Sequence, residues 1–459
     1  MPENQAARTT MTYTEFLDTS PMTKFLWTLV VGVGLAQILD GIDFQSTSFA
    51  LPLIVREFRL NPTQAGLIGS VTNFGLLIGA LVFSTLSDRY GRKKIFQWVL
   101  FTYSFGTFLS AIAWDYRSLL VARFVAGFGI GAEFPVAFAM LAEYSPKRLR
   151  HIIVPMGPIF YAVGWFCCAL LSTWIIPTFG WRAIYWVGVS PALLIIYVQK
   201  LLPESVRFLL ARGRVQEAGE IVKDLARRAG RNDIDLVPPA PVGLAEKKGA
   251  GIQFRSLRLV MGSLIAVGLL YFANNIQNVG FGTWLPSIFL QQGFTMIRSF
   301  TFTTIILAVT PLGQVFAIWL QERMPRKWAM LLLAGLSSAF FLAFGISFEL
   351  QMPIAVTVGA NVGYQFFSQG IIVILYTLGS ELVPTQVRSL GMGLVTAAGR
   401  VGSILGPFVV GVFLTFGTAI HQIIYWFAMP LLLAAVLAVI LIRVDPRQKT
   451  LEQISKETR

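Results

Sequence analysis

At 459 residues the chain is long enough for two or three soluble domains. Yet 55% of it is hydrophobic, only 13% is charged and the mean hydropathy is +0.66, which excludes a string of soluble domains and points to a membrane protein. The formal charge of +14 does not read as a nucleic-acid surface. Its basic residues sit in short segments between apolar runs, where cytoplasmic loops of membrane proteins carry them.

Residues 1–23 are polar and hold no signal-peptide core, so this segment is expected in the cytoplasm. Apolar runs of about twenty residues then recur, each long enough to cross a bilayer. They fall at 24–52, 63–86, 95–114, 118–142, 152–176 and 181–201, then at 259–286, 300–320, 328–348, 353–379, 390–416 and 422–443. The expected fold is an all-α membrane protein of twelve transmembrane helices. A six-helix half at 24–201 and a second at 259–443 are joined by a cytoplasmic central loop with short helices at 202–258. A tail follows at 444–459. Arg89, Arg92, Lys93 and Lys94, then Lys147, Arg148 and Arg150, then Arg323, Arg326 and Lys327 share one side with the tail. The other side keeps fewer cations, among them Arg117, Arg182 and Arg298, which places both termini in the cytoplasm.

The first span carries Asp40-Gly41-Ile42-Asp43. A carboxylate at the centre of a membrane helix costs roughly 2.5–3.5 kcal/mol, and such groups face a bundle interior or a wet cavity. Two acids three residues apart point to nearly the same face. They suit proton handling, although ion pairing that merely joins helices is the alternative. Glu133 and Arg123 lie on span four, which runs antiparallel to span one. Arg123 is therefore expected near Asp43 and Glu133 nearer Asp40, making Asp40, Asp43 and Glu133 a candidate proton relay.

Arg400 stands about ten residues into span eleven, near the midplane. A guanidinium there offers a planar fork to a carboxylate and reads as the anchor for an anionic substrate. The alternative is an internal pair with Asp40, Asp43 or Glu133. Asn274, Gln277 and Asn278 share a face of span seven, and amides in hydrocarbon need partners. With Tyr364, Gln365 and Gln369 of span ten they are candidate cavity-lining groups, against helix packing. Tyr161 and Trp165, one turn apart on span five, suit a flat aromatic ligand, though aromatic residues abound here. Cys167 and Cys168 read as small buried hydrophobes. His151 and His421 have no metal-ligand spacing around them, so no cofactor is expected.

The two halves repeat. Asp88-Arg89-Tyr90-Gly91-Arg92-Lys93 after span two has a counterpart in Glu322-Arg323-Met324-Pro325-Arg326-Lys327 after span eight, 234 residues on. Glu143 to Arg150 after span four has one in Glu381 to Arg388 after span ten, 238 residues on. Asp88, Arg89, Arg92, Glu143 and Arg150, with Glu322, Arg326, Glu381 and Arg388, suit a gate of ion pairs that forms and breaks between states. Parallel repeats imply a midplane site between two halves.

These motifs resemble the major facilitator superfamily over essentially the whole chain, with Pro325 where the second copy should hold glycine. Asp40-Gly41-Ile42-Asp43 resembles the span-one motif of the aromatic acid:proton symporters. Pro203-Glu204-Ser205-Val206-Arg207 resembles a segment shared by organic-ion transporters and sugar porters. Within the superfamily the chain is similar to the niacin transporter (NiaP-like) group, itself similar to organic cation and anion transporters. The resemblance implies a monomeric symporter of a bacterial-type inner membrane. It would import a small aromatic monocarboxylate with protons, nicotinate first and benzoate-type acids next. An organic-cation or drug transporter, or a non-transporting sensor on this fold, are the alternatives. An enzyme is not indicated, since no nucleophile–base constellation or phosphate loop occurs.

Overall fold

In the computed structural model the described residues are 9–153, 156–231, 234–239, 250–382 and 388–441, with the side chains of 9, 151–152, 201, 250–260, 379–382 and 388–390 outside that description. A four-residue strand β1 (Thr9–Thr12) and a short helix α1 (Tyr13–Thr19) precede the first span. The first half then holds α2 (Lys24–Phe58), α3 (Pro62–Tyr90), α4 (Arg92–Ala111), α5 (Tyr116–Tyr144), the short α6 (Lys147–Ile153), α7 (Met156–Phe179), and α8 (Arg182–Gly188) continued by α9 (Ala192–Leu201). The helices α10 (Val206–Ala211) and α11 (Val215–Arg228) and the strand β2 (Ile234–Val237) lie between the halves. The second half holds α12 (Ala250–Gln291), α13 (Met296–Ala308) continued by α14 (Thr310–Arg323), α15 (Arg326–Glu349), α16 (Ile354–Leu382), α17 (Arg388–Thr415) and α18 (Ile420–Leu441).

Eleven of these segments are long and apolar enough to cross a membrane by themselves. The twelfth, α4, begins with Arg92-Lys93-Lys94 and packs along α5, with Trp98, Phe101 and Phe105 exposed on its outer face. Several spans start on side-chain caps that satisfy the first-turn amides. Asn61 with Gln64 forms a capping box for α3, and Asp115 with Ser118 forms one for α5. Close helix contact inside the first half comes from small residues. The Cα atoms of Gly127 and Gly131 on α5 face the carbonyls of Thr72 and Leu76 on α3, where a Cβ would have no room.

One feature departs from a purely helical fold. β1 pairs with β2 in a parallel ladder, Thr9 opposite Ile234, so the polar amino-terminal segment is tied to the central segment. Tyr13, Phe16 and Leu17 are buried there against Val222, Leu225 and Ala226 of α11. Asp18 of this segment accepts from Arg150 at 2.9 Å and lies 3.4 Å from Lys147 and 3.6 Å from Arg207.

The halves meet at the ends remote from the basic loops. Ser48 donates to the Gly282 carbonyl at 2.9 Å, the Thr63 and Thr415 hydroxyls are 2.8 Å apart, and Phe49 meets Phe300 edge-on. The backbones of Pro62 and Gly66 on α3 touch α17 at Gly411 and Pro407. These contacts are hydroxyl, backbone and apolar.

Candidate transport site

Gly41 decides how the first span is seated. Its missing side chain lets α7 lie against α2 backbone to backbone, with Tyr161 O and the Gly164 Cα in the space a Cβ would take. That contact sets Tyr161 and Trp165 beside the two aspartates.

Asp43 and Asp40 then diverge. Asp43 is fully buried and bound by Arg123 in a two-pronged pair, Nη1 to Oδ1 at 3.2 Å and Nη2 to Oδ2 at 3.1 Å. Thr107 donates to the same Oδ1 at 2.9 Å, and the Tyr185 ring lies 5.2 Å from the guanidinium. Asp40 is as deeply buried, but neither of its oxygens receives a hydrogen bond. Its neighbour is the carboxyl of Glu133, whose Oε1 accepts from Gln37 at 3.1 Å while Oε2 has no donor. Two ionised carboxylates have only acceptors to offer each other, so a proton held on one of them would join the pair. Tyr103 stands over this layer from α4, its hydroxyl also without a partner.

Arg400 is half-buried, and among the described residues it makes no ion pair or hydrogen bond. It lies within electrostatic reach of Tyr161 in the other half and of Tyr271 in its own. Among the described residues, no carboxylate holds this guanidinium. The internal pairing with Asp40, Asp43 or Glu133 that the sequence leaves open is not formed.

The candidate amides separate into two sets. Asn278 donates to Gln365 at 3.3 Å and to Ser368 at 3.2 Å, and both Asn278 and Gln365 line a narrow cavity between the halves with Trp165. Asn274, Gln277, Gln369 and Tyr364 sit deeper in the second half. Asn274 donates to the Ser368 hydroxyl at 3.0 Å, and Gln369 to Asn278 at 3.3 Å. Tyr161 and Trp165 pack edge to face at 5.6 Å, and Phe44 lies nearly parallel to Trp165 at 5.9 Å.

At the basic-loop end Arg92 holds Asp88 at 3.1 Å and Glu143 at 3.1 Å. Arg89 lies over the Tyr90 ring, and Arg150 turns to Asp18 rather than joining Glu143. Glu322 and Arg326 flank the turn from α14 to α15, and the side chains of Glu381 and Arg388 lie outside the described residues. Sequence reasoning singled out Pro203–Arg207 only as a motif. Glu204 in it accepts from the amides of Arg92 at 2.8 Å and Lys93 at 3.1 Å, capping the start of α4, and Ser205 donates to Glu143. Gly91, with φ of 102°, makes the turn that admits this carboxylate. Gln37, Thr107, Asp18, Gln45 and Asn73 were also not singled out. Their type is common in any helix, and only contact distinguishes them.

A family model described as sugar (and other) transporter matches residues 16–457. The chain belongs to that family. It is 33% identical over 445 residues to the niacin transporter NiaP of Acinetobacter baylyi, covering 95% of this chain and 98% of the relative. It is 28% identical over 406 residues to the benzoate transport protein of the same organism, covering 86% and 85%. The xylose transporter XylE of E. coli, solved in a partially occluded inward-open conformation, superposes with a TM-score of 0.72 at 18% identity, over 93% of this chain and all of that one. The fold is that of the major facilitator transporters, and this protein is a membrane transporter.

Proposed function

We propose that this transporter imports small aromatic monocarboxylates with protons by alternating access, nicotinate first and benzoate-type acids next, across a bacterial inner membrane with both termini in the cytoplasm. The observation that carries the substrate class is Arg400: a half-buried guanidinium within electrostatic reach of Tyr161 in the other half, with no carboxylate against it among the described residues. An aromatic acid supplies what is missing, a carboxylate for the fork and a ring for Tyr161 and Trp165. Asp40, Asp43 and Glu133 are sealed from solvent, which disfavours them as counter-ions for an organic cation. The names of the niacin and benzoate relatives support the same class.

The roles divide accordingly. Asp40 and Glu133 share the proton. Asp43, with Arg123, fixes the register of α2 and α5 around it. Arg92 with Asp88, Glu143 and Glu204 holds the cytoplasmic ends of α3, α4 and α5. Contact at the ends remote from the basic loops corresponds to a state closed outside and open inside. Entry of an anion with at least one proton avoids the work of about 2.3 kcal/mol per charge per 100 mV against an inside-negative potential.

The test is uptake of labelled nicotinate into proteoliposomes under an inward proton gradient. Uptake should be gradient-dependent and inhibited by benzoate. Arg400→Ala should weaken binding by roughly 2–5 kcal/mol, the cost of removing one partner of a desolvated charge pair. Undiminished nicotinate uptake by Arg400→Ala sinks the substrate assignment.

A further inference from the structure

Asp40 and Glu133 lie in one half and Arg400 in the other, and no ion pair joins them among the described residues. Tyr161 on α7 lies within electrostatic reach of both Asp40 and Arg400. Packing from three helices fixes it there. Gly41, beside Asp40 on α2, leaves room for the Tyr161 carbonyl, and Gly164 on α7 closes on the Ile38 carbonyl one turn earlier. The Tyr161 ring is held edge-on by Phe134 of α5, the residue after Glu133, at 5.0 Å and by Trp165 at 5.6 Å. Tyr161 is only partly buried, and its hydroxyl proton goes to no acceptor among the described residues. The neighbouring Trp165 indole is a donor alone and itself lacks a partner, so it cannot take that proton. Asp40 can, since neither of its oxygens receives a hydrogen bond. The other titratable and charged groups around Asp40 are Glu133 and Arg123 on α5, Tyr103 on α4 and Asp43 one turn along α2. Arg123 is committed to Asp43, and none of the four donates to Asp40.

The geometry points to the Tyr161 hydroxyl as a positioning group that ties anion binding at Arg400 to the charge on Asp40. With Asp40 ionised, the hydroxyl donates to that carboxylate and is withheld from the substrate. With a proton shared between Asp40 and Glu133, Asp40 no longer competes for it, and the hydroxyl donates to the carboxylate that Arg400 holds. Proton and anion then raise each other's affinity by the same factor. Only the C–O torsion of Tyr161 changes, so the transported proton does not pass through it. The assignment deepens the reading of the chain as an aromatic-acid carrier and rests on it.

Calorimetric binding of benzoate to the purified full-length protein tests it between about pH 5.5 and 8.5, where the ligand stays ionised and carries no ring nitrogen to titrate. Wild type should bind about tenfold more tightly at the acid end, the effect of one hydrogen bond to a charged group. Tyr161→Phe keeps the ring and loses the hydroxyl. Its acid-to-alkaline ratio should fall to within about twofold, at the weaker alkaline level of wild type. Asp40→Asn removes the competing charge, so its ratio should also fall to within about twofold, but at the tighter acid level. A purely structural Tyr161 would change affinity or melting temperature and leave the ratio alone. A wild-type ratio near one, or a wild-type ratio kept in either variant, overturns the assignment. Should Tyr161→Phe fail to fold, Asp40→Asn decides by itself. Arg400→Ala separates the two levels. If it abolishes binding while the other variants keep the wild-type ratio, only the role of the hydroxyl falls. If it leaves benzoate binding unchanged, the aromatic-acid reading falls and the role of the hydroxyl with it.

Discussion

Asp40 and Asp43 are one helical turn apart and chemically alike, yet their surroundings give them opposite duties. Asp43 has its acceptor sites filled by Arg123 and Thr107, whereas Asp40 has none filled. Removing one partner of a buried pair strands the other charge, at a cost of about 3–5 kcal/mol. Asp43→Asn is therefore expected to lower thermal stability sharply and with it all transport. Asp40→Asn buries a neutral amide where a carboxyl sat beside Glu133, so stability should hold and counterflow exchange should survive. Accumulation against a gradient should be lost, and Glu133→Gln should behave alike. Thermal unfolding of the three variants, set beside exchange and uphill uptake, separates the duties. An Asp40→Asn protein that still concentrates substrate removes that residue from the coupling step.

At the level of elements, the turn from α3 to α4 shows how a short motif organises three helices. Gly91 holds φ of 102°, a conformation that side chains rarely adopt, and the space above it is occupied by the Glu204 carboxylate. Arg92 then reaches both α3 and α5 through Asp88 and Glu143. Gly91→Ala adds strain of about 1–2 kcal/mol and displaces the cap on α4. It should lower the melting temperature more than Gly213→Ala, whose surroundings are open although its φ is 72°. Equal losses at the two sites argue that the cap contributes nothing. The positions of such elements were legible because apolar runs and basic loops follow from the bilayer itself. Antiparallel order even suffices to bring Arg123 toward Asp43. The partners of Arg150 and the ladder between β1 and β2 were not legible. They join segments more than a hundred residues apart through side chains that carry no periodic signal.

Across the whole molecule the repeat is unequal in chemistry. The interval of 234 residues that links Asp88 to Glu322 also takes Asp40 to Asn274 and Asp43 to Gln277. One half thus buries an ionic layer and the other a neutral amide layer, in which Asn274 bonds Ser368. On the proposed function, with the proton in one half and the anion on Arg400 of the other, moving the halves links the two, and the closed seam is the one expected to open. That seam contains no ion pair among the described residues, only hydroxyl, backbone and aromatic contacts such as Thr63 with Thr415 at 2.8 Å. Such contacts separate without leaving an uncompensated charge. A covalent bond across them should therefore arrest the cycle completely. In Thr63→Cys/Thr415→Cys an oxidant should link α3 to α17 and stop nicotinate uptake, and a reductant should restore it. Binding from the basic-loop side should persist in the linked protein, because the cross-link leaves those ends of the helices untouched. Uptake that continues after quantitative cross-linking shows that these ends do not part during transport.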